Sequence, residues 1–136
     1  MSVFTGGCLC GALRYAADGP PRAMGYCFCT DCRRASGGGA VPFLSFAAGA
    51  LSVTGAVAAH ETVLSGGGTA RRNRCAVCGA LVFGGLPGDP GGNTLYAGSL
   101  DDVTLFRPTL AIFTRSRPAW MPLPPGLACF ETMPGR

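Results

Sequence analysis

Gly7-Cys8-Leu9-Cys10-Gly11 near the start of the chain and Cys75-Ala76-Val77-Cys78-Gly79 in its middle are the stretches whose reading decides the fold. Two cysteines separated by two residues grip one ion from a tight turn, and Gly79 tolerates the left-handed backbone such a turn needs. That pair is half a site, because structural zinc takes four ligands in a tetrahedron. Cys8 and Cys10 are the natural partners: one residue apart on a regular strand, they point to the same face. Cys8, Cys10, Cys75 and Cys78 are therefore read as one closed structural zinc site. It ties the start of the chain to its middle, so metal binding contributes directly to folding. The rival reading is buried or disulfide-bonded cysteine.

Cys27-Phe28-Cys29-Thr30-Asp31-Cys32 offers three more thiols and no obvious fourth ligand. Three protein ligands and an open position are the pattern of catalytic zinc, and the open position would accept water or a substrate thiol. Two rivals stay open. Cys29 and Cys32 have redox C-x-x-C spacing, or Cys129 or His60 completes a closed site. Taken alone, Cys129 reads as a small core residue and His60 as a surface histidine. Arg33, Arg34, Arg71, Arg72 and Arg74 flank these cysteines; they are either a solvated basic edge or an anion site, since a guanidinium fork matches a carboxylate. Trp120 and Phe113 read as core or rim aromatics.

Composition agrees with a compact metal-pinned chain. Among 136 residues, 48% are hydrophobic and 13% charged, enough for a core and too few charges for a long disordered tail. One domain over 1–136 is expected. The 22 glycines and 11 prolines favour turns and short strands over long helices. A net charge of +4 is a mild surplus and weak evidence for nucleic acid, which usually meets a concentrated basic stripe, and it would also suit a small anionic ligand. No leader-like start and no apolar run of bilayer length are visible, so a soluble cytoplasmic protein is expected, with no membrane partner. Eight cysteines in a cytosolic setting point to metal or redox chemistry rather than to disulfides.

Short runs at 13–17, 23–27, 41–46, 61–65, 81–83, 94–97 and 110–114 carry strand character, with β-branched and aromatic residues between glycine-rich turns. One short helix is expected after Thr30 as cap, with Asp31 in its first turn and Gly37 ending it. The fold class is mainly β, built of small antiparallel sheets pinned by zinc.

Four segments, in order, resemble the glutathione-dependent formaldehyde-activating enzyme (GFA) family, which includes centromere protein V. They are Gly7-Cys8-Leu9-Cys10-Gly11-Ala12-Leu13-Arg14-Tyr15, the run from Cys27 through Cys32-Arg33-Arg34 to Gly37, Cys75-Ala76-Val77-Cys78-Gly79, and Ser116-Arg117-Pro118-Ala119-Trp120. The resemblance implies a β-tent fold and two zinc ions per chain. One is structural, on Cys8, Cys10, Cys75 and Cys78; the other is catalytic or labile, on Cys27, Cys29 and Cys32. It also implies carbon–sulfur lyase activity: glutathione and formaldehyde combine to S-(hydroxymethyl)glutathione, and the reverse. Phe28, Ala111 and Arg74 depart from the family pattern, where histidine, histidine and an aromatic are common; the departures spare the ligands and change the pocket.

The reading that follows is a lyase acting on thiol adducts of small aldehydes, with a glutathione-like thiol as partner and its carboxylate held by Arg33 and Arg34. The alternative is a zinc-stabilised binding module for nucleic acid or protein. A reductase using Cys129 as nucleophile is third.

Overall fold

The computed structural model describes residues 3–64 and 67–135. Ser65, at the end of one expected strand, and Gly66, in an expected turn, lie outside the described residues. The strands are β1 Val3–Gly7, β2 Arg14–Asp18, β3 Ala23–Cys27, β4 Val41–Phe46, β5 Leu51–Thr54, β6 Val57–Val63, β7 Thr69–Cys75, β8 Leu81–Gly84, β9 Asn93–Tyr96, β10 Leu110–Ile112 and β11 Ala128–Cys129. The helix α1, Thr30–Ser36, lies between β3 and β4. The protein is mainly β, and no helix among the described residues is long and apolar enough to cross a membrane.

Two sheets form. The smaller has the order β1-β2-β5 and is antiparallel throughout. The larger has eight strands in the order β11-β10-β3-β4-β9-β8-β7-β6. The pairing is mostly antiparallel, as expected, with one exception: β10 runs parallel to both β3 and β11. Parallel neighbours need a long connection, and most of the chain separates β3 from β10. Local sequence pattern carries no information about such a partner.

The sheets meet through their apolar faces. In β1 and β2 burial alternates with the two-residue period of a strand, sending Phe4, Tyr15 and Ala17 inward. They meet Leu44 and Phe46 of β4, Val82 and Phe83 of β8 and Leu95 of β9 in one core. Phe4 and Phe46 pack edge to face with ring centres 5.3 Å apart, a favoured aromatic geometry. Gly6 makes the junction close: it bridges to Leu100, and a Cβ there would fall 2.2 Å from the Ser99 carbonyl oxygen and 2.3 Å from the Tyr15 hydroxyl. Only glycine fits that crossing.

Candidate functional site

The turn after β1 and the turn after β7 bring four cysteines together. The sulfurs of Cys8, Cys10, Cys75 and Cys78 all lie within 4.8 Å of one another. Cys8 and Cys10 are 3.6 Å apart, and Cys10 and Cys75 are 3.8 Å apart. A tetrahedron of sulfurs around zinc, with bonds of about 2.3 Å, has edges of about 3.8 Å, so the spacing fits a metal ion. The local backbone is turned towards the sulfurs as well. The Leu13 N–H donates to Cys8 Sγ at 3.2 Å, and the Val77 and Cys78 N–H groups donate to Cys75 Sγ at 3.3 and 3.5 Å. Gly79, at φ 78°, closes the Cys75 turn in the left-handed region. Burial works against ionisation of Cys8, but the Leu13 N–H and the neighbouring thiols outweigh it and bring the group down to about 6.

One detail differs from the strand argument. Cys8 and Cys10 are not on a strand, since β1 ends at Gly7 and the pair sits in the irregular turn before β2. Their sulfurs converge because that turn curls back on itself, helped by Gly11 at φ 85°.

The second cluster lies where β3 runs into α1. Cys27, at the end of β3, is joined by Cys29 and Cys32, all three sulfurs lying within 4.8 Å of one another. Cys29, rather than the expected Thr30, caps the helix: its Sγ accepts the Cys32 N–H at 3.2 Å. The capping position asks for an acceptor aimed at the N–H of a residue in the first turn, and a thiolate supplies one. Gly37 ends the helix in the left-handed conformation, as expected. Hydrogen bonds from the Cys27 and Cys32 thiols, assisted by the Cys32 N–H and the charge of Arg72, hold Cys29 down to about 2 against the effect of burial. The same contacts push Cys27 strongly upward. The three thiols thus favour a shared negative charge, which Arg72 faces. Neither Cys129 nor His60 joins it. Cys129 is exposed on the short edge strand β11, not in the core as its sequence context suggested, and His60 is exposed on β6.

Beside this cluster opens a cleft of about 590 Å³. Cys27 and Cys32 lie at one end, Val41, Phe43 and Ile112 give it apolar walls, and Arg71, Arg72 and Tyr96 line it as well. Arg72 Nη2 stands 3.8 Å from Cys32 Sγ. Arg71 donates through Nε to the buried Asn73 Oδ1 at 3.1 Å, and its Nη1 forms a loose 3.6 Å pair with exposed Glu61. Burial raises the Tyr96 hydroxyl to about 12, so it remains a proton donor at neutral pH.

Arg33 and Arg34 are placed differently. Neither lines this cleft; Arg34 faces a separate recess, and the Arg33 Nε is buried without a hydrogen-bond partner. Each helical residue turns the side chain by about 100°, so with Cys32 facing the cleft the next two positions rotate away from it. Tyr96 escaped the sequence reading altogether. It reaches the cleft because β9 pairs with β4, opposite Phe43, and no local pattern announces that pairing. Trp120 is exposed and lines neither cavity.

Comparison with known proteins follows this geometry. No curated protein matches the chain. Among solved structures, the crystal structure of a Rhodobacter sphaeroides protein, a structural-genomics target, is similar over 93% of this chain and 98% of that one. It has a TM-score of 0.54 at 17% identity, a likeness of fold. The family model described as glutathione-dependent formaldehyde-activating enzyme matches residues 3–116 and spans both cysteine clusters. The chain therefore belongs to the glutathione-dependent formaldehyde-activating enzyme family.

Proposed function

We propose that the protein is a zinc-dependent carbon–sulfur lyase that interconverts a glutathione-type thiol and a small aldehyde with their S-(hydroxyalkyl) adduct. The observation that carries this reading is the three-cysteine cluster, two of whose members, Cys27 and Cys32, line a cleft that also presents a cationic side chain and a neutral hydroxyl. Zinc is the metal the donor set selects, because all-thiolate sites of tetrahedral spacing are typical of it. Cys8, Cys10, Cys75 and Cys78 would hold one ion and complete its shell. Cys27, Cys29 and Cys32 would hold a second with one position open. When bound there, zinc supplies Lewis acidity and lowers the pKa of a thiol beside it.

The chain's own groups divide the remaining work. In the forward direction the thiol sulfur bonds to the aldehyde carbon, the carbonyl π bond opens onto oxygen, and the thiol proton ends on that oxygen. Tyr96 is placed to donate a hydrogen bond to the developing oxyanion, the point where fixed donors are worth most. Arg72 offsets the negative charge gathered by the cysteines. Arg71 is available to a substrate carboxylate, because its pair with exposed Glu61 is long and weak. The apolar walls give the carbon skeleton of the adduct a surface to pack against.

The test is exchange between glutathione, ¹³C-formaldehyde and the adduct, followed by two-dimensional exchange NMR with the zinc-loaded protein. Acceleration over buffer is expected, and Cys29→Ser should abolish it while retaining the melting temperature and the metal of the four-cysteine site. Exchange no faster than in buffer, or undiminished in Cys29→Ser, rejects the reading.

A further inference from the structure

Arg72 also lines a second recess, of about 280 Å³, whose other residues the proposed reaction does not use. Arg34 reaches it from α1, His60 and Thr62 from β6, and Arg72 and Arg74 from β7. The register explains the convergence. His60 pairs directly with Arg72 and Ala58 with Arg74 across the β6–β7 ladder. Directly opposed residues of an antiparallel pair share a face, so one face of this hairpin carries both arginines and the histidine. The helix lays Arg34 over the same face.

The charge there is not internally balanced. Three guanidinium groups line it beside a single carboxylate, Asp31; Arg72 is shared with the cysteine cluster, and Arg34 and Arg74 still leave one positive charge over. Among the described residues the ion pairs are Arg14–Asp101 and Arg71–Glu61, so Arg34, Arg72 and Arg74 enter none. Their known bonds go to neutral or sulfur acceptors. Arg74 donates to the carbonyls of Ala35 and Gly79, and Arg72 to Thr62 Oγ1 and Cys32 Sγ. Those bonds fix Arg72 and Arg74 in place before any ligand arrives and leave N–H groups over for it. Guanidinium forks held this way suit a tetrahedral oxyanion, which accepts several charge-assisted bonds at once.

We propose that the recess formed by Arg34, His60, Arg72 and Arg74 is a binding site for a phosphate-type dianion, either free phosphate or the head of a phosphate monoester. Three guanidinium side chains converging on one recess offer more charge-assisted donors than a planar carboxylate accepts, and suit the several oxygens of a phosphate group. At about 280 Å³ the recess admits a small group. Arg72 lines both this recess and the cysteine cleft, so the two sites are neighbours.

The experiment is calorimetric titration of the intact, zinc-loaded protein with inorganic phosphate and, in parallel, with phenyl phosphate, in a buffer free of other oxyanions. Saturable one-to-one binding is expected with at least one of them, and the tighter of the two identifies the source. Arg34→Gln should weaken it about tenfold or more, the scale of one charge-assisted hydrogen bond, whereas Arg34→Lys should retain most of it. Arg34 is exposed, and unchanged melting of both variants verifies that the fold is intact. No saturation in the millimolar range, or equal affinity in Arg34→Gln, overturns the assignment. So does tight binding of a short single-stranded RNA that phosphate cannot displace, which would make the basic face a polyanion surface.

Discussion

Replacing both Cys8 and Cys10 by serine would cut the tie between the start and the middle of the chain, and the structure allows the cost to be worked out. Cys10 and Cys75 are 65 positions apart. Treating an ion held between them as a cross-link, the chain-entropy relation for a loop of that length gives about 4.3 kcal/mol at room temperature. Serine keeps the shape of cysteine, so the core that touches Cys8 loses little packing. Domains are stable by only about 5–15 kcal/mol in total, so the loss is a large share of the whole. For a chain of this size it corresponds to a fall in Tm of roughly 10–20 °C. The assay is calorimetric melting of the wild type and the double variant, each with its metal content measured. The variant should lose one equivalent of metal, and chelator should lower the wild-type Tm towards that of the variant. A variant that gives up the metal yet melts within about 3 °C of the wild type would refute the argument that this cluster holds the fold together.

Two further outcomes test the architecture directly. Gly6→Ala should destabilise the protein by about 2–4 kcal/mol in urea denaturation, because its methyl group lands on the Ser99 carbonyl and the Tyr15 hydroxyl; an unchanged midpoint would mean that the sheets do not meet as described. Asp101, bonded first to Arg14 and then to Thr5, is held down to about 2. A carboxylate lowered in the folded state stabilises it fully above the unfolded value of about 4, and that contribution is lost as pH falls through about 2. Asp101→Asn should therefore lower Tm slightly at pH 7, and its difference from the wild type should vanish near pH 2; a difference independent of pH would show that the charge is irrelevant.

The metal-binding potential was legible because it depends on spacing. C-x-C, C-x-x-C and the triplet at Cys27–Cys32 each restrict where sulfurs can lie, and the structure assembles them as two clusters. Short apolar runs with aromatic or β-branched residues between glycine-rich turns, such as β3 and β4, were legible for the same local reason. β1 was missed because Thr5, Gly6 and Gly7 resemble a loop, their strand character arising from contact with β2 and Leu100. β7 was missed because Thr69-Ala70-Arg71-Arg72-Asn73-Arg74-Cys75 has the composition of a solvated edge. Pairing with β6 and β8 on its two sides makes it a strand. The cleft was least legible. Its arginines come from β7 and its tyrosine from β9, so it exists only once the order of eight strands is known. The arginines adjacent to Cys32 in sequence looked closest to the chemistry, yet helical rotation points them elsewhere.

The separation of Cys10 from Cys75 also has a consequence for synthesis. All strands of the smaller sheet are made once Thr54 has left the ribosome, but the four-cysteine cluster has to wait for the turn that ends at Cys78. At about 5–20 residues per second, the 65 positions from Cys10 to Cys75 alone take roughly 3–13 s. During that interval Cys8 and Cys10 stand as an open dithiol on a nascent chain, able to collect a metal ion or an oxidant before their partners exist. The order in which this protein is made therefore gives the cell's free metal and its thiol buffers the first opportunity to decide what the finished molecule contains.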